Sequence, residues 1–325
     1  MPWPPFFFLF PPAPSSWFGA EETNTTKLMI LVLGESLFDV FPHYKRFGGA
    51  PFNFAYHLRQ FGYPVNFITR VGSDTEGKEI LQILSQHGFD VSSVQIDPEH
   101  ATGKAIVTLD GQGVASYVFP EDAAYDHLVL DPNCLKKEQP PELVYFGSLL
   151  QRSAFSRNQV QKFLAELPAK TCTFYDINLR KGCDQEIIVH NSIRHAQVLK
   201  VNSDELDWLS QGISPHENEQ VRIEKLFQDF PMGLVVLTKG EQGSAIFTRQ
   251  GEKTASCVHQ VDVVDTVGAG DAFSAATAIG LLQNWDIATI NTRAAAFSAA
   301  VCGLKGAIPT DPLFYSQRSF QHFHR

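Results

Sequence analysis

An α/β fold with a mostly parallel central sheet is predicted by three features of this 325-residue chain. Short, continuous apolar runs recur along it, as strands buried on both faces require. Amphipathic stretches of helical length lie between those runs and would supply the crossovers that cover a parallel sheet. No internal repeat or low-complexity linker divides the chain after Met29, so a single domain is expected.

The elements follow in order. Residues 1–28 read unlike the rest, with repeated prolines around an aromatic cluster and a polar end. Proline breaks their apolar run far short of the about 20 residues of a membrane span. The n-region lacks the positive charge of a signal peptide. A disordered or non-native extension ahead of a start at Met29 is the expectation. Residues 29–33 form the first apolar run, closed by Gly34, and 65–71, 143–146, 171–175, 198–202 and 234–238 repeat its pattern. Helices are expected at 52–61, 77–87, 157–167, 203–210 and 221–230. Two pieces break the alternation: 40–47, and the hairpin-like 104–119 with Gly111-Gln112-Gly113 at its turn. Both are β-rich without an intervening helix and suit a small antiparallel lid, spanning about 40–48 and 101–120, that could close over a substrate. The domain is expected over 29–312, with 313–325 as a tail.

Composition narrows the function. Hydrophobic residues make up 44% and charged residues 19%, as in ordinary soluble enzymes. A net charge of −9 without any basic run argues against nucleic acid or anionic membrane as partner. The five cysteines are irregularly spaced and lack a C-x-x-C, which fits a reduced, cytoplasmic setting. Eleven histidines show no H-E-x-x-H pairing, so no structural metal is expected.

Chemistry concentrates near the C-terminus, where Asp265-Thr266-Val267-Gly268-Ala269-Gly270-Asp271-Ala272-Phe273 runs from a small-residue turn into an apolar helical stretch. The amides of Gly268, Ala269 and Gly270 can close around an anion at the positive end of that helix. Asp271 would stand at the rim, where an incoming hydroxyl needs a base, and the dipole should favour its carboxylate form. A glycine-rich turn that merely caps a helix would look similar. A Rossmann fingerprint is disfavoured because Gly34 lacks its partner glycines, and no G-K-[ST] marks a Walker loop. A second glycine pair, Gly48-Gly49, opens the helix carrying Asn53, with Gly62 and Gly72 further on. Asp39 is expected just beyond the first strand's C-terminal end, the edge at which open α/β sheets bind ligands. Asp39 and Asn53 together would grip a polyhydroxylated molecule, although turn formation and helix capping would use the same residues.

These motifs resemble the ribokinase/PfkB family of sugar kinases, and fructokinases in particular. Residues 48–72 follow the spacing of the family's N-terminal signature and 265–278 that of its C-terminal one, within a resemblance covering 29 to about 312. It implies a ribokinase-like three-layer sandwich with a small β lid, and ATP and Mg²⁺ as cofactors. Catalysis would fall to Asp271 with Gly268, Ala269, Gly270 and Arg180, and sugar binding to Asp39, Gly48, Gly49, Asn53 and Asp271. Asn202 and Glu205 resemble the N-x-x-E element that acts on Mg²⁺ and phosphate through water, where a capping box is the plainer reading. Thr238, Gly240 and Gly243 match the T-x-G-x-x-G nucleotide loop. Arg180 closes a D-x-N-x-R segment begun by Asp176 and would neutralise the transferring phosphoryl group, or else form a surface ion pair. The family also implies a monovalent cation, K⁺, on backbone carbonyls near Asp265 and Val267 and near 305–307, and a homodimer through the lid. Residues 34–39 and 176–180 lean towards fructose. The second lid strand lacks the arginine frequent in fructokinases, and a 2-keto-3-deoxygluconate carboxylate would miss that cation more than fructose would. Ribose and nucleosides stay open, as does, in another class, a catalytically silent sugar- or nucleotide-binding protein.

Overall fold

The first apolar run becomes strand β1 (Ile30–Leu33), all four residues of which are buried. The computed structural model describes residues 28–109, 115–130, 140–180, 186–211, 217–256, 261–311 and 313–325. The expectations for 1–27, for the turn at Gly111–Gly113 and for Cys134, Cys183 and Cys257 lie outside these residues. Strand β1 pairs in parallel with β4 (Val65–Gly72) on one side and β8 (Leu143–Gly147) on the other. The other large-sheet strands are β5 (Val94–Asp97), β9 (Cys172–Asp176), β10 (Val198–Asn202), β11 (Leu234–Thr238), β12 (Ser244–Thr248) and β13 (Lys253–Ser256). Their order is β13-β12-β11-β10-β9-β8-β1-β4-β5. Pairing is parallel from β5 to β11. The last two strands run antiparallel, because a tight turn rather than a crossover helix joins β11 to β12.

Helices cover both faces. Along β1, Ile30 and Val32 face one core while Leu31 and Leu33 face the other, the period-two alternation of a strand buried on both sides. The first core is closed by α1 (Ala50–Gln60), α2 (Thr75–Gln86), α7 (Ala269–Leu282) and α8 (Ile287–Cys302). The second is closed by α3 (Ala154–Ala165), α4 (Glu186–Ile193), α5 (Ser203–Leu209) and α6 (Glu219–Asp229). Residues 313–325 belong to the first core: Phe314, Tyr315, Phe320 and Phe323 are buried with Phe61 and Phe297. Among the described residues no helix is long and apolar enough to cross a membrane.

A separate four-stranded sheet, ordered β3-β2-β6-β7, forms the flap. It comprises β2 (Leu37–Val40), β3 (Lys45–Gly48), β6 (Gly103–Leu109) and β7 (Ala115–Val118). Its strands are not all antiparallel as the sequence suggests: β2 pairs with β6 in parallel and so joins the two β-rich pieces. Strand β2 also begins at Leu37, three residues before the expected start. A pairing between strands more than sixty residues apart leaves no mark in local spacing.

Candidate active site

The C-terminal ends of the central strands, the N-termini of α1 and α7, and the flap enclose a cavity of about 370 Å³. The crevice beyond the strand ends is the expected ligand position in an open parallel sheet. The cavity brings together Asp39, Gly49, Asn53, Arg180, Asn202, Thr238, Val267, Gly268, Gly270 and Asp271. Gly48, Ala269, Glu205, Gly240, Gly243 and Asp265 stand behind or beside its wall rather than on it.

Helix α7 is preceded by its N-cap Gly268, whose φ of 80° lies in the left-handed region. A Cβ there would come within 2.3 Å of the Ala307 Cβ, so position 268 needs glycine for both backbone conformation and space. Gly268→Ala is expected to destabilise the fold by roughly 1–3 kcal/mol through strain at this turn, measured as a lowered denaturant midpoint. An unchanged midpoint would show that the turn relaxes freely. At Gly270 the missing side chain leaves room for an ammonium: a Cβ would sit 3.2 Å from Lys200 Nζ. The Gly270 backbone at the positive end of α7 and the Lys200 ammonium thus lie side by side on the cavity wall, a setting suited to an anion, while the Ala269 amide is already engaged with the Thr266 carbonyl at 3.3 Å.

Lys200 is a cavity-lining residue that the motif reading passes over. It is the third residue of β10, buried, and its Nζ donates to Asp176 Oδ1 at 3.0 Å. Burial alone would lower its pKa, but Asp176, followed by Glu205 and Asp271, holds it above the ordinary lysine value. Asp176 also accepts from Ser274 Oγ at 2.9 Å and from Tyr145 OH at 3.4 Å. The signal available in the sequence is a lysine inside an otherwise apolar run, since lysine is almost never buried without a partner.

Asp271 lies in the first turn of α7 and is buried, its Oδ2 accepting from Asn53 Nδ2 at 2.8 Å. Its pKa is pushed up to about 6, chiefly by desolvation. The Asn53 hydrogen bond opposes this, Asp176 adds to it, and Lys200 and Arg180 oppose it. The carboxylate form therefore still prevails at neutral pH, as expected at a helix N-terminus, but burial, which the sequence does not show, raises the pKa above the ordinary aspartate value.

Two buried acceptors on the cavity wall, Asn53 Oδ1 and Glu35 Oε2, have no hydrogen-bond partner. Such atoms call for a ligand with hydroxyl donors. Glu35, which the sequence reading used only as motif context, has its pKa raised to about 7 by desolvation, partly offset by its own backbone amide and by Arg180. Asp39 sits within β2, opposite Arg46 of β3, rather than just past β1. Its pKa is raised to about 6 by desolvation against the charges of Arg180 and Arg46. Gly48 leaves space for it, since a Cβ there would approach Asp39 Oδ2 to 3.2 Å.

The remaining residues divide clearly. Asn202 Oδ1 accepts from the Glu205 amide and Glu205 Oε2 from the Asn202 amide, each at 2.8 Å, which is a reciprocal capping box on α5. Glu205 Oε1 also accepts from the Leu179 amide at 2.9 Å, so both of its oxygens serve the backbone and only Asn202 reaches the cavity. Gly240 and Gly243 adopt φ of 53° and 87° in the turn after β11. Arg180 is exposed and donates to the adjacent Leu179 carbonyl at 3.3 Å, with no surface ion pair among the described residues. Asp265 Oδ1 accepts from the Val267 amide and Oδ2 from the Gly306 amide, each at 3.0 Å, joining the two segments singled out for a cation. Arg46 approaches Asp265 Oδ2 at 3.5 Å and so links the flap to the α7 turn. An anion site beside a buried acid and two unsatisfied acceptors is equipped to join a phosphoryl group to a hydroxyl.

Comparison with known proteins gives the same picture. The model of the pfkB family carbohydrate kinases matches residues 33–313. The chain is 29% identical to probable fructokinase-7 of Arabidopsis thaliana over 324 residues, covering 90% of this chain and 92% of that one. It is 29% identical to the 5-dehydro-2-deoxygluconokinase of Geobacillus thermodenitrificans over 255 residues, covering 75% and 74%. Its fold is similar to that of the ATP-bound fructokinase of Xylella fastidiosa, with a TM-score of 0.74 at 23% identity over 86% of this chain and 94% of that chain.

Proposed function

This chain belongs to the pfkB family of carbohydrate kinases, and on that premise we propose that it transfers the γ-phosphoryl group of ATP to a hydroxyl of fructose, with Asp271 as the base. The observation that carries the reading is that Asp271, in the first turn of α7 and hydrogen-bonded to Asn53, lines one cavity with Gly268, Gly270 and Lys200 and with the unpartnered acceptors of Asn53 and Glu35. The acceptor oxygen attacks the γ-phosphorus, its proton passes to Asp271, and the bond to the β–γ bridging oxygen breaks to release ADP. The Gly268 and Gly270 amides and Lys200 stabilise the charge on the transferring group, and Arg180 at the wall adds to them.

Thr238 on the cavity wall, with Gly240 and Gly243 in the turn behind it, supports nucleotide binding. Mg²⁺, when bound with ATP, neutralises phosphate charge; Asn202 would reach it through water, while Glu205 positions Asn202. The Asp265–Gly306 contact supports a K⁺ site on the carbonyls of Asp265 and Val267. Two copies would pair through the flap, whose cross-strand neighbours Ile106 and Val118 are exposed. A cytoplasmic location accords with the unpaired Cys172 and Cys302.

Fructose is favoured over a sugar acid because the described residues of β7 carry no cation. Arg180 is the group that a carboxylate would use instead, so the acceptor panel must include both. In a coupled ADP assay, fructose is expected to exceed ribose, nucleosides and keto-sugar acids in kcat/KM by at least about tenfold, equivalent to about 1.4 kcal/mol. A superior rate with any other acceptor would overturn the choice. Asp39→Ala is expected to raise the sugar KM through loss of about 1–3 kcal/mol of hydroxyl binding, with a smaller effect on kcat. An unchanged KM would remove Asp39 from the sugar site.

The raised pKa of Asp271 sets the acid limb. Because the base acts as carboxylate, kcat/KM should fall as pH drops through about 6. The Asn53 hydrogen bond holds that value down, so Asn53→Ala should move the limb to higher pH. A limb that stays in place would show that Asn53 does not tune the base.

A further inference from the structure

Arg152 lies just outside the cavity and joins two parts of its wall. It follows the 3-10 turn Leu149–Gln151 at the end of β8, and Leu149 and the preceding Ser148 line the cavity. Its guanidinium reaches the chain that leaves the flap after β7. Nη1 donates to the Phe119 carbonyl at 3.1 Å and Nη2 to the Pro120 carbonyl at 2.6 Å. Nε and Nη2 also grip Asp126, at 2.8 Å to Oδ1 and 2.6 Å to Oδ2. The guanidinium lies 4.8 Å from the centre of the Tyr125 ring. That ring packs on Gly103, the first residue of β6, where a Cβ would come within 2.5 Å of it. One arginine thus ties the outgoing root of the flap directly, and the incoming root through Tyr125, to the end of β8.

This differs from surface pairing. The side chains of Arg152 and Asp126 are 12% and 4% exposed, so both charges are out of water, a cost that only a full set of partners offsets. Asp126 Oδ2 also accepts the Ala123 amide at 2.9 Å. A planar fork serves a carboxylate and two carbonyls at once, which a lysine ammonium in the same place cannot do. The residues so placed face the site: Tyr117 of β7 and Phe119 just beyond it line the cavity. Strand β7 is the edge of the flap, paired among the described residues with β6 alone. Its distance from the body of the domain therefore has to be set by contacts of this kind.

We propose, on the kinase reading above, that Arg152 is a positioning residue for phosphoryl transfer: it holds Tyr117 and Phe119 over the acceptor, so that a sugar hydroxyl rather than water meets the phosphoryl donor. Closure of this kind strengthens acceptor binding and suppresses hydrolysis without adding a group to the chemical step. The motif reading passes over Arg152 because its partners lie about thirty residues upstream, in the exit of the flap.

Arg152→Met and Arg152→Lys are compared with the parent chain, with sugar phosphate, ADP and inorganic phosphate measured by ³¹P NMR. In Arg152→Met the fructose KM should rise by at least about tenfold, while kcat at saturating fructose changes by less than about threefold. The share of ADP accompanied by inorganic phosphate should rise by at least about fivefold. Arg152→Lys keeps a cation for Asp126 but cannot reach both carbonyls, so it should leak in the same way with a denaturant midpoint close to the parent's. Phe119→Ala should leak in the parent background and add little to Arg152→Met, because both changes open one wall. Amide exchange of β6 and β7, measured without any ligand, should speed up by about threefold or more in Arg152→Met. Lost stability with parent-like KM and product ratio, or unchanged exchange in β6 and β7, would overturn the proposal. A parent chain that phosphorylates no sugar, with exchange accelerated as expected, would overturn the kinase reading while leaving the anchor of the flap in place.

Discussion

Replacing Asp271 with Asn is expected to lower kcat by about 10²-fold to 10⁴-fold, the range attributed to a positioned general base. Asparagine keeps the size of the side chain, and its carbonyl oxygen can still accept from Asn53 Nδ2, so the N-terminus of α7 should remain folded. What disappears is the capacity to take a proton. The sugar KM should change little, because Asn53, Glu35 and Asp39 still face the acceptor. The residual activity should also lose the acid limb near pH 6 that Asp271 imposes on the parent enzyme. Parent-like turnover in Asp271→Asn would remove the residue from the proton-transfer step.

The second large effect is expected at Lys200. Lys200→Met removes the ammonium beside Gly270 and leaves the Asp176 carboxylate buried without its ionic partner. Breaking a buried pair on one side destabilises by about 3–5 kcal/mol, read as a lower denaturant midpoint. Loss of a preorganised charge from the phosphoryl site should lower kcat by about 10²-fold to 10³-fold. The double variant Lys200→Met, Asp176→Asn separates the two roles. It should recover much of the stability, since no unpaired carboxylate remains, while activity stays low. Recovery of activity along with stability would make Lys200 a structural residue only.

How far the site was legible depended on whether a residue's role left a local trace. Gly268, Gly270 and Asp271 could be grouped from the sequence and do line one cavity, because a small-residue turn running straight into a helix with an acid in its first turn is a local pattern. Asp39 was expected at the ligand edge and does line the cavity, but it was assigned to the wrong element: the chain turns at residues 34–36 and re-enters a strand within three residues, too short a break for apolar periodicity to register. The flap's parallel β2–β6 pairing was invisible for the same reason that long-range contacts generally are. Lys200 and Asp176 form one buried unit, yet each lies in a different apolar run and neither carries the partner's address. Glu205 shows the reverse case, in which the motif drew attention to a carboxylate whose oxygens both serve backbone amides. Likewise, the electrostatic sign at Asp271 could not be read from the helix dipole alone, because the depth of burial that opposes it is a property of the assembled cavity.

The claim that this chain joins the phosphoryl group of ATP to a sugar hydroxyl is tested most directly by ³¹P NMR of the enzyme with ATP, Mg²⁺ and fructose. A phosphomonoester resonance should grow in one-to-one proportion with ADP, depend on fructose, and vanish in Asp271→Asn. ADP accompanied only by inorganic phosphate, or no change in the spectrum with any sugar, would contradict the account.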